Sequence, residues 1–375
     1  MKISVPNGEN VLKKCADKTI AFYIGSLATG GAERVITNLA EFYCQNGYKV
    51  YMVTKMLEEN EYSISQEITR IIADITPDEE TNSRAKNLYL RIHKLRKIWK
   101  DIKPDAIVSF IGKNNLMSIA SSRGMRIPVY VSVRSAPQRE IGMGLSKYLT
   151  FFLFSMAKGI ILQTTEAKNF FPSFLHKKIM ILPNSVNPKF IKPLYQGERE
   201  PVIVSVGRLD DNKNQQILIE AFDILKDEFP KWCLEFYGDG ENYNKLSEMI
   251  DAKNLTQRIK LLGSRSDIDI QIQKASIFVL TSKVEGMPNA LIEAMALGLT
   301  VISTDCPCGG PADLIQNKVN GILVPVDDLN ALCSSLREVL SNESYRKELS
   351  VEAHNIINTM NPDKVNQLWM ECISH

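Results

Sequence analysis

Short apolar runs alternate with amphipathic helical patterns along most of the chain. The strands predicted in the first half are Thr19–Gly25, Tyr48–Thr54, Ala106–Ile111, Val129–Val133, Gly159–Gln163 and Lys178–Leu182. Those predicted in the second half are Val202–Val206, Cys233–Tyr237, Ile259–Leu262, Ile277–Leu280, Thr300–Ser303 and Ile322–Val324. Continuous apolar runs separated by helices are typical of parallel strands that are covered on both faces. The pattern therefore predicts an α/β protein with a doubly wound parallel sheet in each half.

The chain is long enough for two domains, because 375 residues exceed the usual size of a single core. Prolines, asparagines and charged residues over residues 183–200 are typical of a linker. We predict an N-terminal domain over residues 1–190, a C-terminal domain over residues 191–360, and a final helix over residues 361–375 that can return toward the first domain. In doubly wound sheets ligands bind beyond the carboxyl ends of the strands, so a ligand cleft is expected between the two carboxyl edges.

The segment VEGMPNALIEAMALG, residues 284–298, carries the most informative chemistry. Its strong helix formers predict a helix that begins near Pro288 and Asn289. The first N–H groups of a helix lack partners within the helix and attract phosphate. Glu285 precedes this helix start, and Glu293 follows one turn into the helix. Two carboxylates on either side of a phosphate site suit a ligand with hydroxyl groups on both sides of a diphosphate, such as a nucleotide sugar.

Two strand-to-helix loops add candidate ligand-binding groups. Arg208 and Lys213 follow the strand Val202–Val206, where two cations can bind a diphosphate. Gly30 and Gly31 follow the first strand, where they can form a tight turn or let the backbone approach a ligand. The glycine loop lacks the G-x-G-x-x-G pattern of dinucleotide-binding proteins.

Each of two helices predicted in the first half has two interpretations. Residues 84–103 form a basic amphipathic pattern, which indicates either a surface helix or a face for anionic lipid or polyphosphate. Residues 142–156 are rich in aromatic residues, which indicates either a buried helix or an interfacial surface.

The charge distribution favours an anionic partner for the first half. Residues 1–190 contain 27 Lys+Arg and 16 Asp+Glu, a net charge of +11, and the remainder contains 18 and 27, a net charge of −9. No nucleic-acid-binding motif accompanies the basic half, so no nucleic-acid partner is expected. Seven cysteines without a CxxC pair are typical of a reducing compartment, and Cys306 and Cys308 are interpreted as loop cysteines. With no apolar leader in residues 1–18, a cytoplasmic protein with peripheral membrane contact is expected.

Six motifs in this order resemble the family 4 retaining glycosyltransferases, which have the GT-B fold of two Rossmann-like domains. They are GGAERV (30–35), SVGRLDDNKNQ (205–215), YGDGE (237–241), LLGSRSD (261–267), EGMPNALIEAMALG (285–298) and NGILVPVDD (320–328). The resemblance covers nearly the whole chain and implies transfer of a sugar from a nucleotide donor, with the anomeric configuration kept. It implies no cofactor beyond the donor, which is a UDP-sugar in our interpretation.

The resemblance assigns the catalytic role to Arg208, Lys213 and Glu285. The two cations would bind the donor diphosphate and stabilise its charge as the glycosidic bond breaks, and Glu285 would contact the donor sugar or the reacting face. Glu293 would hydrogen-bond the ribose. The other donor-binding candidates contact the base, the phosphates or the sugar, and they are Ser264, Arg265, Gly286, Met287, Pro288, Asn289, Gly30 and Gly31.

Two sequence features qualify the mechanism. Asp267 and Asp269 match the letters of a D-x-D metal motif, but they fall at a predicted helix start, where capping is the better explanation, and no metal site is expected. Many relatives carry a histidine after an N-terminal strand, whereas this chain has Arg134 at the most similar place. The leaving phosphate could itself accept the acceptor's proton.

The motifs SVRSAP, GKNN and DCPCGGP look like a branch that acts on bacterial surface polysaccharides and lipid-linked oligosaccharides. We therefore expect a saccharide on undecaprenyl diphosphate as the acceptor, at the anionic inner-leaflet surface of the inner membrane. UDP-Gal, UDP-GalNAc and UDP-GlcNAc are the candidate donors. The alternatives are a nucleotide-sugar epimerase of the same fold and a non-catalytic scaffold that binds nucleotide sugar.

Overall fold

The computed structural model describes residues 18–28 and 30–374, apart from the side chain of Ser374. These residues divide into two compact units. Unit 1 contains the described part of Met1–Gln163 together with Lys168–Leu182 and the end of the chain from Asn366. Unit 2 contains Thr164–Ala167 and Pro183–Val365. Cys15 lies outside the described residues.

Unit 1 is built on a seven-stranded sheet with the order β3-β2-β1-β4-β5-β6-β7. Every neighbouring pair is parallel. The strand order reverses between β1 and β4, so the loops after these two strands flank the switch point. The strands are β1 (Thr19–Ile24), β2 (Lys49–Thr54), β3 (Thr69–Ile72), β4 (Ala106–Phe110), β5 (Val129–Ser132), β6 (Gly159–Leu162) and β7 (Ile179–Ile181).

The helices of this unit are α1 (Gly31–Gln45), α2 (Arg84–Ile102), α3 (Gly112–Ser122), α4 (Pro137–Ile141) and α5 (Leu145–Phe154). The basic helix α2 buries Leu95 and Trp99, whereas Leu88 near its start is 50% exposed. Several Lys and Arg side chains of α2 are bonded to other residues of unit 1. Arg91 lies 2.7 Å from an oxygen of Asp74, for example.

Unit 2 contains a six-stranded parallel sheet with the order β10-β9-β8-β11-β12-β13. Its strands are β8 (Glu200–Val206), β9 (Cys233–Tyr237), β10 (Ile259–Leu261), β11 (Ala275–Leu280), β12 (Thr300–Thr304) and β13 (Ile322–Val324). Here the order reverses between β8 and β11. The two Rossmann-like sheets confirm the predicted α/β architecture.

The helices of unit 2 cover both faces of its sheet and bury two apolar clusters. They are α6 (Gln215–Leu225), α7 (Tyr243–Ala252), α8 (Ile268–Gln271), α9 (Asn289–Ala296), α10 (Gly310–Leu314), α11 (Leu329–Ser341), α12 (Glu343–His354) and α13 (Ile356–Thr359). The last helix, α14 (Pro362–Ser374), begins in unit 2 and belongs to unit 1 from Asn366 onward. There Trp369 stacks on Phe110 with ring centroids 5.6 Å apart.

The proline-rich segment after β7 belongs to unit 2 and is packed within it. Val186 and Phe190 are buried in the same apolar cluster as the residues of α9. The backbone N–H of Val186 donates to the carbonyl of Met360 at 2.8 Å. Apolar anchors between the prolines therefore hold this segment in place. No helix within residues 18–28 and 30–374 has both the length and the apolar character needed to cross a membrane.

Candidate active site

The loops after β8 and β11 leave the sheet of unit 2 at its switch point. The first loop carries Arg208 and Lys213, and the second runs through Glu285 to the start of α9. Neighbouring parallel strands end at the same edge, so these two loops are adjacent there. The topology thus brings together candidate residues that lie more than seventy positions apart in the sequence.

An ion pair joins the two loops. The Lys213 Nζ atom lies 2.6 Å from Glu285 Oε1, and the two side chains are only 17% and 14% exposed. A cation and a carboxylate in contact at this edge can bind the phosphate and the hydroxyl groups of one ligand. Glu285 is therefore already bound to the cation that the sequence assigned to the diphosphate.

Hydrogen bonds to backbone carbonyls hold the two loops together beside the ion pair. The side-chain amide of Asn212 donates to the Val284 carbonyl at 3.0 Å, and the Lys283 N–H donates to the Asn212 carbonyl at 2.8 Å. The hydroxyl of Thr281 donates to the carbonyl of Lys213 at 2.8 Å. Such bonds position Lys213 without using its ammonium group.

Arg208 occupies a more open place in the same loop. Its side chain is 78% exposed, and Nη2 lies 3.1 Å from an oxygen of Asp210. Its carbonyl accepts a hydrogen bond from the amide of Gln215 at 2.7 Å, which fixes the backbone but leaves the guanidinium at the surface. The guanidinium can therefore turn toward an anionic ligand at little cost in desolvation.

Helix α9 begins at Asn289, as the sequence predicted, with Pro288 at the N-cap. The buried Asn184 donates to the carbonyl of Met287 at 3.0 Å and to Asn289 Oδ1 at 2.8 Å. Its side chain thereby fixes the backbone that leads into the helix. Glu293 lies in the second turn of α9 and is buried.

The segment after β12 supports the backbone around Glu285. The Glu285 N–H donates to the Pro307 carbonyl at 2.8 Å, and the Cys308 N–H donates to the Glu285 carbonyl at 2.9 Å. A Cβ atom at Gly310 would lie 1.6 Å from the carbonyl oxygen of Gly286, so only glycine allows this approach. Burial and the nearby Glu285 carboxylate raise the pKa of the Cys306 thiol to about 12, which keeps the thiol neutral.

The remaining predicted donor-binding residues lie elsewhere. Ser264 and Arg265 are exposed and follow β10, two strands from β8 along the same edge. The Ser264 N–H donates to Asp239 at 3.0 Å. Hydrogen bonds from the Ser264 side chain and from this N–H lower the pKa of the Asp239 carboxyl. Gly30 and Gly31 belong to unit 1, where they follow β1 and open α1.

The capping explanation for the D-x-D letters is only partly right. Asp267 occupies the N-cap position of α8, but its carboxylate accepts from the side chain of Gln271 at 2.8 Å and not from a first-turn N–H. Asp269 is buried and pairs with Lys192 at 2.6 Å. Among the described residues, no three His, Cys, Asp or Glu side chains are grouped so as to hold a metal ion.

Arg134 lies just beyond β5 in unit 1 and is buried. Its guanidinium lies 5.0 Å from the ring centroid of Phe110 and 5.7 Å from that of Trp369. Burial lowers its pKa to about 10, so the side chain remains cationic at neutral pH. The Glu140 carboxylate accepts from the N–H groups of Arg134 and Ser135, both at 2.6 Å. This arrangement fixes the loop after β5.

Two family models match adjacent parts of the chain. The model described as Glycosyltransferase Family 4 matches residues 29–190, and the model described as Glycosyl transferases group 1 matches residues 187–355. The chain belongs to the family 4 glycosyltransferases. This finding confirms the resemblance on which the site assignments rest.

Relatives of this glycosyltransferase include enzymes whose names specify lipid-linked acceptors. One is the Campylobacter jejuni GalNAc-alpha-(1->4)-GalNAc-alpha-(1->3)-diNAcBac-PP-undecaprenol alpha-1,4-N-acetyl-D-galactosaminyltransferase, 26% identical over 95% of this chain and 98% of that protein. Another is the Escherichia coli UDP-Gal:alpha-D-GlcNAc-diphosphoundecaprenol alpha-1,3-galactosyltransferase, 26% identical over 74% of this chain and 78% of that protein.

Solved structures confirm the GT-B fold of the glycosyltransferase. The sucrose-phosphate synthase of Thermosynechococcus elongatus superposes with a TM-score of 0.80 over 95% of this chain and 99% of that one. The two sequences are 17% identical, so the likeness concerns the fold.

Sequence reasoning missed two supports of this glycosyltransferase site. Asn184 was assigned to a linker, and the close approach of Gly310 to Gly286 was not foreseen. The signal available was an asparagine between prolines for the first and the glycine pair at residues 309–310 for the second. Neither signal identifies the residue that is contacted, because in both cases that residue is distant in the sequence.

Proposed function

We propose that this glycosyltransferase transfers a hexose or N-acetylhexosamine from a UDP-sugar to an undecaprenyl-diphosphate-linked saccharide, with retention of configuration. The observation that carries the proposal is the Lys213–Glu285 pair, whose Nζ and Oε1 atoms are 2.6 Å apart beside the start of α9. This pair provides a cation for the diphosphate and a carboxylate for the sugar within one contact. Arg208 supplies a second cation from the same loop.

In the proposed reaction the bond between the anomeric carbon and the diphosphate oxygen breaks, and a bond from that carbon to an acceptor hydroxyl oxygen forms on the same face. The electron pair of the broken bond stays with the diphosphate. Arg208, Lys213 and the first N–H groups of α9 stabilise that charge, which is the main source of rate enhancement. The acceptor's proton passes to the leaving phosphate oxygen, so no side chain has to act as the base and no metal ion is required.

Further donor contacts follow from the family assignment. Glu293 binds the ribose hydroxyls, Ser264 and Arg265 contact the base, and the backbone of Gly286–Asn289 holds sugar and phosphate. Gly30 and Gly31 of unit 1 contact the diphosphate.

The acceptor assignment rests on two supports. The first is the pair of bacterial relatives whose names specify undecaprenol or diphosphoundecaprenol. The second is the net charge of +11 over residues 1–190, which favours the anionic inner leaflet and a diphosphate headgroup. The product would enter a capsule, O-antigen or exopolysaccharide, and the enzyme would work peripherally on the cytoplasmic face of the inner membrane.

The test is a panel of radiolabelled UDP- and GDP-sugars incubated with the protein and a bacterial lipid extract. We expect label from one UDP-hexose or UDP-N-acetylhexosamine to enter the lipid phase, with the α-anomeric linkage of the donor kept in the product. Conversion of the donor to its epimer without an acceptor would identify an epimerase instead. Binding of UDP without transfer from any donor would identify a scaffold.

A further inference from the structure

Helix α5 exposes an apolar stripe on its outer side. Leu145, Tyr148, Leu149 and Phe152 follow one another at the i, i+3, i+4, i+7 spacing of a single helix face. Leu145 is 88% exposed, Tyr148 and Leu149 are each 61% exposed, and Phe152 is 59% exposed. Met143, just before the helix, is also exposed. Clustered exposure of large apolar side chains marks an interaction surface, whereas scattered single residues do not.

The opposite face of α5 already serves the core. Phe151 and Phe154 are buried there, and both rings pack against Phe171 with centroid distances of 5.7 and 6.3 Å. One apolar face of α5 is therefore buried in unit 1, and a second apolar face remains exposed. Folding of unit 1 does not require the exposed stripe, so another environment accounts for its composition.

The part of the chain that contains the stripe has few acidic residues. Residues 106–165 contain seven Lys and Arg, and Glu140 is the sole Asp or Glu among them. Helices α3 and α4, which pack against α5, carry the exposed cations Lys113 and Arg139. Within α5, the Lys147 ammonium lies 5.2 Å from the ring centroid of Tyr148. An apolar stripe among cations is complementary to a membrane surface that contains anionic lipid.

We propose that α5 lies in the interface of an anionic bilayer, with Leu145, Tyr148, Leu149 and Phe152 among the acyl chains and the neighbouring cations at the lipid headgroups. Ten helical residues are about 15 Å long, half the thickness of a bilayer core, so the helix lies along the surface. A tyrosine suits this depth, because its ring is apolar and its hydroxyl remains hydrated. The surface deepens the proposed function, since it brings unit 1 to the leaflet that holds a lipid-linked acceptor.

The first experiment measures partition of the full chain onto vesicles by sedimentation. Vesicles of phosphatidylglycerol and phosphatidylethanolamine are compared with vesicles of phosphatidylcholine. The test variant carries Leu149→Ser and Phe152→Ser, and the matched control carries Ile224→Ser and Val351→Ser, which replace exposed apolar residues of unit 2. We expect the test variant to lose at least about tenfold in partition onto the anionic vesicles, and the control to keep the wild-type value. Equal partition of both variants would overturn the proposal.

A fluorescent tryptophan tests whether α5 contacts the membrane, and this test does not depend on a variant that binds vesicles less tightly. Trp99, Trp232 and Trp369 are buried, so a Phe152→Trp substitution adds an exposed indole to a low background. We expect brominated acyl chains in the vesicles to quench this indole, and not the indole of an Ile224→Trp control. Bound protein without quenching at position 152 would show that a different surface meets the membrane.

Two further readouts separate this proposal from its competitors and from the proposed function. Sedimentation velocity without lipid is expected to give the same mass for wild type and the Leu149→Ser/Phe152→Ser variant. A smaller mass for the variant would assign the stripe to a protein interface and overturn the membrane assignment.

Transfer to a short-chain, water-soluble diphosphate-linked acceptor is expected to be unchanged in the variant, whereas transfer to a vesicle-embedded acceptor falls about tenfold with the partition. If wild type binds vesicles through α5 but transfers no sugar, the proposed function fails and the membrane contact stands.

Discussion

At the residue scale, the Lys213 ammonium is already paired with the Glu285 carboxylate at 2.6 Å. If Lys213 binds the donor diphosphate as proposed, the diphosphate has to compete with this carboxylate for the ammonium group. Replacement of Glu285 by Gln removes this competitor and leaves the shape of the site unchanged. Since a partly buried pair of this kind contributes about 1 kcal/mol, we expect UDP to bind about fivefold more tightly to the variant. Calorimetric titration with UDP measures this change.

The same Glu285→Gln variant should transfer sugar about 100-fold more slowly, because the carboxylate beside the reacting sugar is lost. Glu228→Gln serves as the control, since Glu228 is an exposed acid of unit 2 paired with Arg337. The control should match wild type in both assays. Weaker UDP binding by Glu285→Gln would show that Glu285 supports the nucleotide and does not compete with it.

Lys213 itself is expected to act mainly on the leaving diphosphate. Lys213→Ala removes a cation where negative charge develops, so we expect kcat to fall about 100- to 1,000-fold. The free energy of unfolding should change little by comparison, because the backbone contacts of Lys213 remain. Lys347→Ala, at an exposed lysine of unit 2, is the control for removal of a positive charge. Near-normal turnover of Lys213→Ala would refute the diphosphate role.

At the scale of elements, the segment after β7 positions the start of α9. Asn184 is 3% exposed, and its amide bridges the Met287 carbonyl and the Asn289 side chain. Asn184→Ala leaves these buried groups without that donor, so we expect the free energy of unfolding to fall by about 1–3 kcal/mol. UDP should also bind more weakly, because the backbone before the helix loses its support.

Asn187→Ala provides the matched comparison for Asn184→Ala. Asn187 lies in the same segment, and its side-chain oxygen accepts from the N–H of Lys189 at 3.2 Å. Its loss should cost about 0.5–1 kcal/mol and leave UDP affinity unchanged. Denaturant unfolding followed by calorimetry measures both quantities. Equal effects of the two substitutions on UDP affinity would remove Asn184 from the support of the site.

Apolar periodicity predicted most elements because apolar residues predominate in most of the predicted strands. The missed strand β3 has only four residues, begins Thr69-Arg70, and lies at the edge of its sheet, so burial does not mark it. The pattern also could not choose between a buried and an interfacial helix for residues 142–156. The structure contains α5 with one apolar face buried and the other exposed, so the buried alternative is right for one side and the interfacial alternative stays a prediction for the other.

At the scale of the whole molecule, the order of the motifs predicted the fold and the edge of the sheet where the candidate residues lie. It did not predict the partners of those residues. Lys213 and Glu285 are separated by 72 positions, and their contact depends on the order of the strands between them. Asn184 acts across 103 positions for the same reason. Sequence spacing defines local elements, whereas the chemistry of the site arises where loops from distant strands meet.

The charges of the residues proposed to bind the donor in unit 2 lead to a prediction about metal ions. A nucleotide diphosphate needs compensating positive charge, and in the proposed reaction Arg208 and Lys213 would provide it from one loop at the switch point of unit 2. Asp269, the buried acid of the D-x-D letters, is already paired with Lys192 at 2.6 Å and would have to leave that cation to bind a metal ion. We therefore expect excess EDTA to leave the transfer rate within about twofold of its value in Mg²⁺. A loss of more than about tenfold that Mg²⁺ or Mn²⁺ restores would mean that a bound cation shares the work assigned here to the two side chains. The Lys213→Ala variant distinguishes the two cases further, because a reaction that depends on side-chain charge loses its rate there whether or not divalent ions are present.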